Sequence, residues 1–373
     1  MSRLLSPFVL VVTALLAVSY GYVAARLGSG LWDRAALAIP FVLVWIVPVL
    51  YWSRQHDEEE SRLDAAAHQA SYLSMAWVSF LVVLTLARDV ALVVTSALSL
   101  DGAHQVVVHA GVPAVLAASV LAMVVGALTA LRGPRIRKVD VPLPDLHPDL
   151  VGLRIAQISD LHVGRTIRRR YVEHVVERTK ALEPDIVAFT GDMVDGAVDH
   201  LAPHVAPLAA LAADGNAFFV LGNHDCYSGA QAWIAHFRRL GTRVLLNEHT
   251  TWRKGAATLL IGGVVDPAYS RARPAISLAA APPADVRLLL AHNPKLAPLG
   301  ARAGFDLQLS GHTHAGQFFP WTLAVRLVHA PHVAGLSREQ KMWVYVSAGT
   351  GSWGPPVRFG TSPEITLITL VRA

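Results

Sequence analysis

Five short polar clusters, each directly after an apolar run, carry residue types that bind metal ions. A lone Asp-x-His or His-x-His is common and predicts little, but five clusters in succession predict a shared site. Asp, His and Asn without cysteine offer oxygen and nitrogen ligands, which suit Mn, Fe or Zn rather than a structural zinc. The clusters are Asp160-Leu161-His162, Gly191-Asp192-Met193-Val194-Asp195, Gly222-Asn223-His224-Asp225, His292-Asn293 and Gly311-His312-Thr313-His314.

The apolar runs before these clusters predict buried β-strands. Helical spacing predicts helices over 169–182, 202–213 and 230–240, and strand-like runs dominate after them. Early β-α-β units followed mainly by strands indicate an α/β domain of stacked mixed β-sheets flanked by helices. The polar clusters then converge on one sheet edge, where rigid strands hold ligands in place. The predicted strands cover 153–159, 185–190, 217–221, 244–246, 259–265, 286–291, 307–310, 343–347 and 365–371.

The first 133 residues form a different kind of domain. Of the 373 residues, 53% are hydrophobic and only 16% are charged, which indicates a membrane part beside a soluble part. Apolar runs of about 20 residues can cross a bilayer, and four candidates cover 4–25, 35–52, 72–100 and 111–131. A signal peptide is disfavoured for the first, because its apolar core is usually only about 7–15 residues. Arg88-Asp89 interrupts the third run and is expected near its end or facing other helices.

The charge distribution and the cysteine content bear on where the protein lies in the cell and on which partners it binds. Short loops with more Lys and Arg lie in the cytoplasm, and their distribution predicts a multi-pass cell-membrane protein whose C-terminal half is cytoplasmic. The net charge of +5 comes without long basic runs, so no nucleic acid is expected. Cys226 is the single cysteine, so no intrachain disulfide forms. Residues 134–151 are rich in Pro and Asp and are expected as an extended linker or an edge strand.

Residues 152–373 resemble the calcineurin-like metallophosphoesterases. The resemblance lies in the pattern Asp-x-His, Gly-Asp-x-x-Asp, Gly-Asn-His-Asp/Glu, His and Gly-His-x-His, and Asp225 stands where many members have Glu. Membrane-anchored bacterial members are also similar over 311–317 and over the tail 353–358. The resemblance does not extend to residues 1–133.

The family implies a two-metal site and assigns each residue a role. Two divalent metal ions (Mn, Fe or Zn) would activate a hydroxide that attacks phosphorus. His224 would contact the phosphate or protonate the leaving oxygen, with Asp225 as its support. Asp195 would either contact a ligand or only hold its loop, and Arg358 and Arg165 are candidate substrate contacts. The ligands implied are Asp160, His162 and His314 for the first metal, Asn223, His292 and His312 for the second, and Asp192 as the bridge.

The expected function is a membrane-tethered phosphoesterase or phosphodiesterase. Membrane-associated members resembling this chain are linked to cleavage of UDP-diacylglucosamine, so a lipid-linked phosphodiester or pyrophosphate is the expected substrate, with membrane lipids as partners. One alternative is a transporter or sensor whose soluble domain binds a phosphorylated ligand, although the complete ligand set argues against it. Another is a phosphodiesterase of soluble nucleotides. The sequence specifies neither the metal pair nor an oligomeric state.

Overall fold

The computed structural model describes residues 7–45 and 62–373. They divide into two compact units, which are described separately. The first comprises Met1–Leu128 with Gly354–Phe359, and the second Thr129–Trp353 with Gly360–Ala373.

The first unit is built from long apolar helices. Three of them are long and apolar enough to span a membrane, over Val9–Leu27, Leu63–Ala97 and Asp101–Leu131. The expected second span, 35–52, extends past residue 45 and so lies partly outside the described residues. The helices of this part are α1 (Pro7–Leu27), α2 (Leu31–Leu43), α3 (Arg62–Ala97) and α4 (Asp101–Leu131).

Arg88 and Asp89 lie inside α3 and face another helix. The Asp89 carboxylate accepts hydrogen bonds from Arg26 Nε at 2.7 Å and from the Tyr22 hydroxyl at 2.9 Å, both on α1. A buried apolar cluster that includes Val23, Phe41 and Leu81 packs around the same helices. Of the two expected positions for the charged pair, the structure therefore shows the one facing other helices.

The second unit contains two six-stranded mixed sheets. The strand order is β1-β12-β2-β3-β4-β5 in the first sheet and β10-β11-β9-β8-β7-β6 in the second. Strands β2 to β5 run parallel to one another, as do β7, β8, β9 and β11. The strands are β1 (Arg135–Leu143), β2 (Arg154–Ile158), β3 (Ile186–Phe189), β4 (Ala217–Phe219), β5 (Arg243–Val244), β6 (Glu248–Lys254), β7 (Ala257–Gly263), β8 (Val286–Leu290), β9 (Leu307–Ser310), β10 (Gly335–Glu339), β11 (Met342–Val346) and β12 (Glu364–Arg372).

Helices flank the two sheets, as the sequence predicts. Because side chains alternate between the faces of a strand, Ala188 and Phe218 pack toward the second sheet. Phe189 and Phe219 pack instead toward the helices on the other side. The helices of this unit are α5 (Arg169–Lys180), α6 (Val198–Val205), α7 (Asn223–Tyr227), α8 (Ala230–Arg239), α9 (Pro274–Ser277), α10 (Ala297–Ala303) and α11 (Trp321–His329).

Several elements differ from expectation or were left open by it. Of the two alternatives for 134–151, the structure shows the edge strand: β1 pairs in parallel with β12 along its whole length. Strands β6 and β10 were not predicted, because they carry many polar residues and little apolar alternation. The predicted helix over 202–213 is shifted: α6 ends at Val205 and a 3₁₀ turn continues over Ala206–Leu211.

Candidate metal centre

The five polar clusters follow the carboxyl ends of parallel strands. Asp160 comes two residues after β2, and Asp192 comes three residues after β3. Asn223 is the first residue of α7, shortly after β4. In the second sheet, His292 lies two residues after β8 and His312 lies two residues after β9. Parallel strands end at a common edge, so two sheets that pack on one another bring all five clusters to one place.

One group of ligand atoms is formed by Asp160, His162 and His314. Their potential ligand atoms all lie within 4.8 Å of one another, and all three residues are buried. His314 Nε2 lies 2.9 Å from His162 Nε2 and 3.4 Å from Asp160 Oδ1. The i, i+2 spacing thus directs Asp160 and His162 to one point, whereas His312 and His314 belong to different groups.

A second group is formed by Asp192, His292 and His312. His292 Nε2 lies 3.2 Å from Asp192 Oδ2, and His312 Nδ1 lies 3.2 Å from His292 Nε2. The side-chain oxygen of Asn223 is 2.9 Å from His312 Nδ1. Asp192 Oδ2 is also 3.9 Å from His162 Nε2 in the first group, so this carboxylate lies between the two groups.

The backbone of these clusters adopts left-handed conformations at non-glycine residues. Five predicted ligands have φ between 50° and 73°, a region that costs L-residues about 1–2 kcal/mol each. Such outliers concentrate at functional sites, where the surrounding fold enforces them. The five are Asp160, His162, Asp192, His312 and His314.

Gly222 permits a close backbone approach in the site. A Cβ at this position would lie 2.1 Å from Asp192 Oδ1, well inside van der Waals contact. The N–H of the next residue but one, His224, donates to the same Asp192 oxygen at 2.7 Å. Any side chain at Gly222 would therefore displace the carboxylate that lies between the two groups.

Asp195 orients two of the histidines. Its two carboxylate oxygens each lie 3.0 Å from His162 Nδ1, and one lies 2.8 Å from His224 Nδ1. Burial raises the pKa of Asp195, but these two imidazoles together hold it well below its ordinary value. The ionised carboxylate accepts from each Nδ1–H, which leaves each Nε2 with its lone pair available. Sequence reasoning named Asp195 and left its role open; the structure shows that it contacts a predicted ligand.

The donor set fits divalent metal ions. His292 Nδ1 lies 2.8 Å from the Thr190 carbonyl, which accepts its proton and leaves Nε2 facing Asp192. Burial and the neighbouring His292 lower the pKa of His312 to about 3, so this imidazole is neutral, as a metal ligand must be. Asp160 Oδ2 is buried without a hydrogen-bond partner. Imidazoles facing one another across carboxylate oxygens satisfy a cation better than they satisfy each other.

Comparison with known proteins identifies the fold family. The family model for calcineurin-like phosphoesterases matches residues 153–316. A "transmembrane protein with metallophosphoesterase domain" from Bos taurus is 36% identical over 277 residues, covering 70% of this chain and 62% of the relative. Its counterpart from Danio rerio is 32% identical, covering 68% and 63%. A metallophosphoesterase from Aquifex aeolicus is 31% identical over 243 residues, covering 63% of this chain and 91% of the relative.

The chain belongs to the calcineurin-like metallophosphoesterase family. It spans 62% and 63% of the length of the Bos taurus and Danio rerio relatives. Those relatives are named as transmembrane proteins, and this chain carries three helices suited to crossing a bilayer, so it is a membrane protein.

In this metallophosphoesterase, Asp225 has no hydrogen bond to the His224 ring, and its support of His224 stays a prediction. The buried Asp225 carboxylate instead accepts four backbone N–H bonds at 2.8–3.2 Å. Its donors are the N–H groups of Asp192, Met193, Val194 and Gly222. Asp225 therefore ties the turn after β3 to the turn after β4, and the contact to His224 comes from Asp195.

The two candidate substrate arginines differ in their exposure to solvent. Arg358 is fully buried, and its backbone N–H donates to the Gly126 carbonyl within the unit of long helices. Its guanidinium has no exposed surface in this structure, and its substrate contact stays a prediction. Arg165 is exposed in the loop after Asp160-Leu161-His162, and its substrate contact stays a prediction.

Aromatic residues that sequence reasoning did not assign surround the metal centre. The rings of Tyr227 and Trp353 lie 5.8 and 5.9 Å from the ring of His224, and they are 70% and 47% exposed. On another side, the ring of His329 lies 5.3 Å from that of His312. Only Tyr227 lies close in sequence to a cluster, so spacing could not have found the other two.

Proposed function

We propose that the protein is a membrane-tethered phosphoesterase that hydrolyses P–O bonds at a two-metal centre. The observation that supports this most directly is the position of Asp192, whose carboxylate lies between two groups of buried His and Asp ligand atoms. We assign Asp160, His162 and His314 to one metal, Asn223, His292 and His312 to the other, and Asp192 to both. When bound, two divalent ions (Mn, Fe or Zn) lower the pKa of water and polarise the phosphoryl group.

His224 is the residue we assign to the substrate. Its side chain is about one-quarter exposed, at 24%, and its Nδ1 is engaged by Asp195. Its Nε2 is then left for a phosphate oxygen or for the oxygen of the leaving group, and it can donate a proton to either when both ring nitrogens are protonated. Asp195 holds the ring in that orientation, while Asp225 holds the turn that carries it.

The substrate class follows from the tether. A domain covalently attached to membrane helices meets membrane-borne substrates at a raised effective concentration. A lipid-linked phosphodiester or pyrophosphate is therefore our first candidate. The distribution of Lys and Arg in the short loops supports a multi-pass arrangement with this domain on the cytoplasmic side.

Soluble nucleotides are a second candidate, and one observation favours them. Tyr227 and Trp353 are exposed aromatic rings beside His224. Exposed aromatic side chains stack on nucleobases. A base on either ring would leave its phosphate next to His224.

The test begins with the purified full chain, stripped of metal by a chelator and reloaded with Mn²⁺, Fe²⁺ or Zn²⁺. We expect hydrolysis of bis-p-nitrophenyl phosphate to disappear on stripping and to return on reloading. Asp192→Asn should abolish turnover and lower the bound metal content, while Asp214→Asn, in an exposed turn before β4, should change neither. A correctly folded wild type that binds metal yet cleaves no phosphoester would refute the proposal.

The substrate class is decided by a panel on the same sample. Lipid-linked diesters in vesicles and soluble nucleotides are compared by kcat/KM. A preference for the vesicle substrates supports the first candidate, and a preference for nucleotides supports the second.

A further inference from the structure

Helix α11 presents its apolar side chains outward. Leu327, Val328 and Leu323 are 91%, 60% and 56% exposed, and no residue of the helix is buried. A surface helix of a globular domain normally turns its apolar face toward the core and its polar face toward water. Helix α11 therefore has the arrangement of a helix that meets an apolar phase outside its own domain.

The inward side of α11 carries polar residues and adjoins the metal centre. The ring of His329 lies 5.3 Å from that of the predicted ligand His312. At the other end, the backbone of Thr322 lies so close to Gly316 that a Cβ there would be 2.5 Å from Thr322 Cα. At 100° per residue, His329 and Thr322 share one side of the helix, and Leu323 and Leu327 lie away from it.

A bilayer is the apolar phase that this domain meets. Helix α4, which can cross a membrane, ends at Leu131, and β1 begins at Arg135. The three residues between them span at most about 11 Å when extended. The sheet that starts with β1 is thus covalently tethered to a helix that can cross a membrane, whatever other proteins are present.

Exposed basic residues accompany the apolar face. Arg326 lies on α11 itself, and Arg135, Arg137 and Lys138 are exposed on β1. The Arg137 guanidinium comes within 3.9 Å of where a Cβ on Gly335 would lie, at the start of the strand that follows α11. Apolar side chains combined with Lys and Arg are the chemistry of helices that lie in the interface of anionic membranes.

We infer that α11 docks on the phospholipid surface, with Leu323, Leu327 and Val328 in the interfacial layer. This contact is independent of turnover, so it can be tested whether or not the proposed hydrolysis is correct. Its consequence for the site is direct: the helix whose His329 adjoins His312 lies in the lipid headgroup region, where the phosphate of an amphiphilic substrate also lies.

The test uses the full chain reconstituted in phosphatidylethanolamine–phosphatidylglycerol vesicles. Leu327→Cys is labelled with an environment-sensitive fluorophore, and Asp214→Cys serves as the matched control. Asp214 is exposed and precedes β4, at the opposite end of that strand from the metal centre. The natural Cys226 is half-buried and burial raises its pKa to about 12, so it labels slowly, and the labelled wild type gives the background.

We expect the label at Leu327 to show a blue shift and a loss of emission when the vesicles carry nitroxide lipids. Interfacial helices lie about 5–10 Å into the headgroup–acyl boundary, so a nitroxide near the headgroups should quench more than one near the chain ends. The label at Asp214 should show neither change. Leu323→Cys provides a second position, and circular dichroism of each variant confirms that it is folded.

Two results would overturn the inference. Emission at both Leu327 and Leu323 that matches the Asp214 label would mean that α11 stays in water. A blue shift without quenching by nitroxide lipids would mean that the face is covered by protein, such as a second copy of the chain.

Discussion

Replacing Asp195 by Asn separates the orienting role of this residue from a structural one. In the wild type, the carboxylate accepts from His162 Nδ1 through two oxygens at 3.0 Å and from His224 Nδ1 at 2.8 Å. An amide of the same shape keeps only one acceptor oxygen and brings an NH₂ group that faces an imidazole N–H. At least one of the two histidines must then turn or change tautomer, which places a proton on the Nε2 that faces the site.

The size of the effect follows from what the two histidines do. Loss of a partner that orients a metal-binding histidine typically costs about 10–100-fold in metal affinity or activity. That range is about 1.4–2.7 kcal/mol. Because His162 is assigned to a metal and His224 to the substrate, we expect losses in two separate quantities. The metal concentration for half-maximal activity rises through His162, and kcat at saturating metal falls through His224.

The assay is a metal titration of bis-p-nitrophenyl phosphate hydrolysis, read together with thermal unfolding. Asp199→Asn is the matched control, since Asp199 is an exposed carboxylate in the first turn of α6. It should leave both kinetic quantities unchanged. An Asp195→Asn protein with wild-type metal dependence and wild-type kcat would refute the orienting role. A lower unfolding temperature with unchanged kinetics would show that Asp195 only holds its loop.

Two further substitutions test the close packing at Gly222 and the role of Arg358. Gly222→Ala should abolish most activity and lower the free energy of unfolding by about 1–3 kcal/mol, because the new methyl group overlaps Asp192 Oδ1. Gly102→Ala is the control and should keep full activity, because its methyl group meets nothing within 4 Å. An active, stable Gly222→Ala protein would contradict the geometry. Arg358→Met should lower the unfolding temperature and leave KM for the soluble diester unchanged, because the buried guanidinium has no exposed surface. A raised KM at unchanged stability would instead identify Arg358 as a substrate contact.

The strands and the ligand clusters could be predicted because both signals are local in sequence. An apolar run followed at once by Asp, His or Asn gives the strand, its end and the candidate ligand together. The link between Asp195 and His224 is different, since 29 residues separate them and their contact depends on how β3 and β4 pair. The same limit explains why the sequence does not show that the carboxylate beside the His224 ring is Asp195 rather than the adjacent Asp225.

Other features depend on surroundings that a sequence does not display. Leu323 and Leu327 are apolar and give no sign that they face outward, since burial is decided by the neighbouring elements. Strand β6 contains Glu248, Arg253 and Lys254 and follows no alternating pattern, yet pairing with β7 makes it a strand. The left-handed backbone at residues such as Asp160 is enforced by the assembled site rather than by the preference of the residue.

The position of β12 has a consequence for how the chain is made. This strand lies between β1 and β2 in the first sheet, although every other strand precedes it in sequence. Synthesis of β1 is complete at Leu143, and synthesis of β12 begins at Glu364. At about 5–20 residues per second, that takes roughly 10–45 s.

Throughout that interval β1 has no hydrogen-bonding neighbour, while the helices before it are already available for insertion. An unpaired strand edge invites pairing with other nascent chains, and charges and proline are what discourage it. β1 carries Arg135, Arg137, Lys138 and Asp140, and Pro142 follows near its end. These residues discourage β1 from pairing with other chains until β12 has been synthesised and pairs with it.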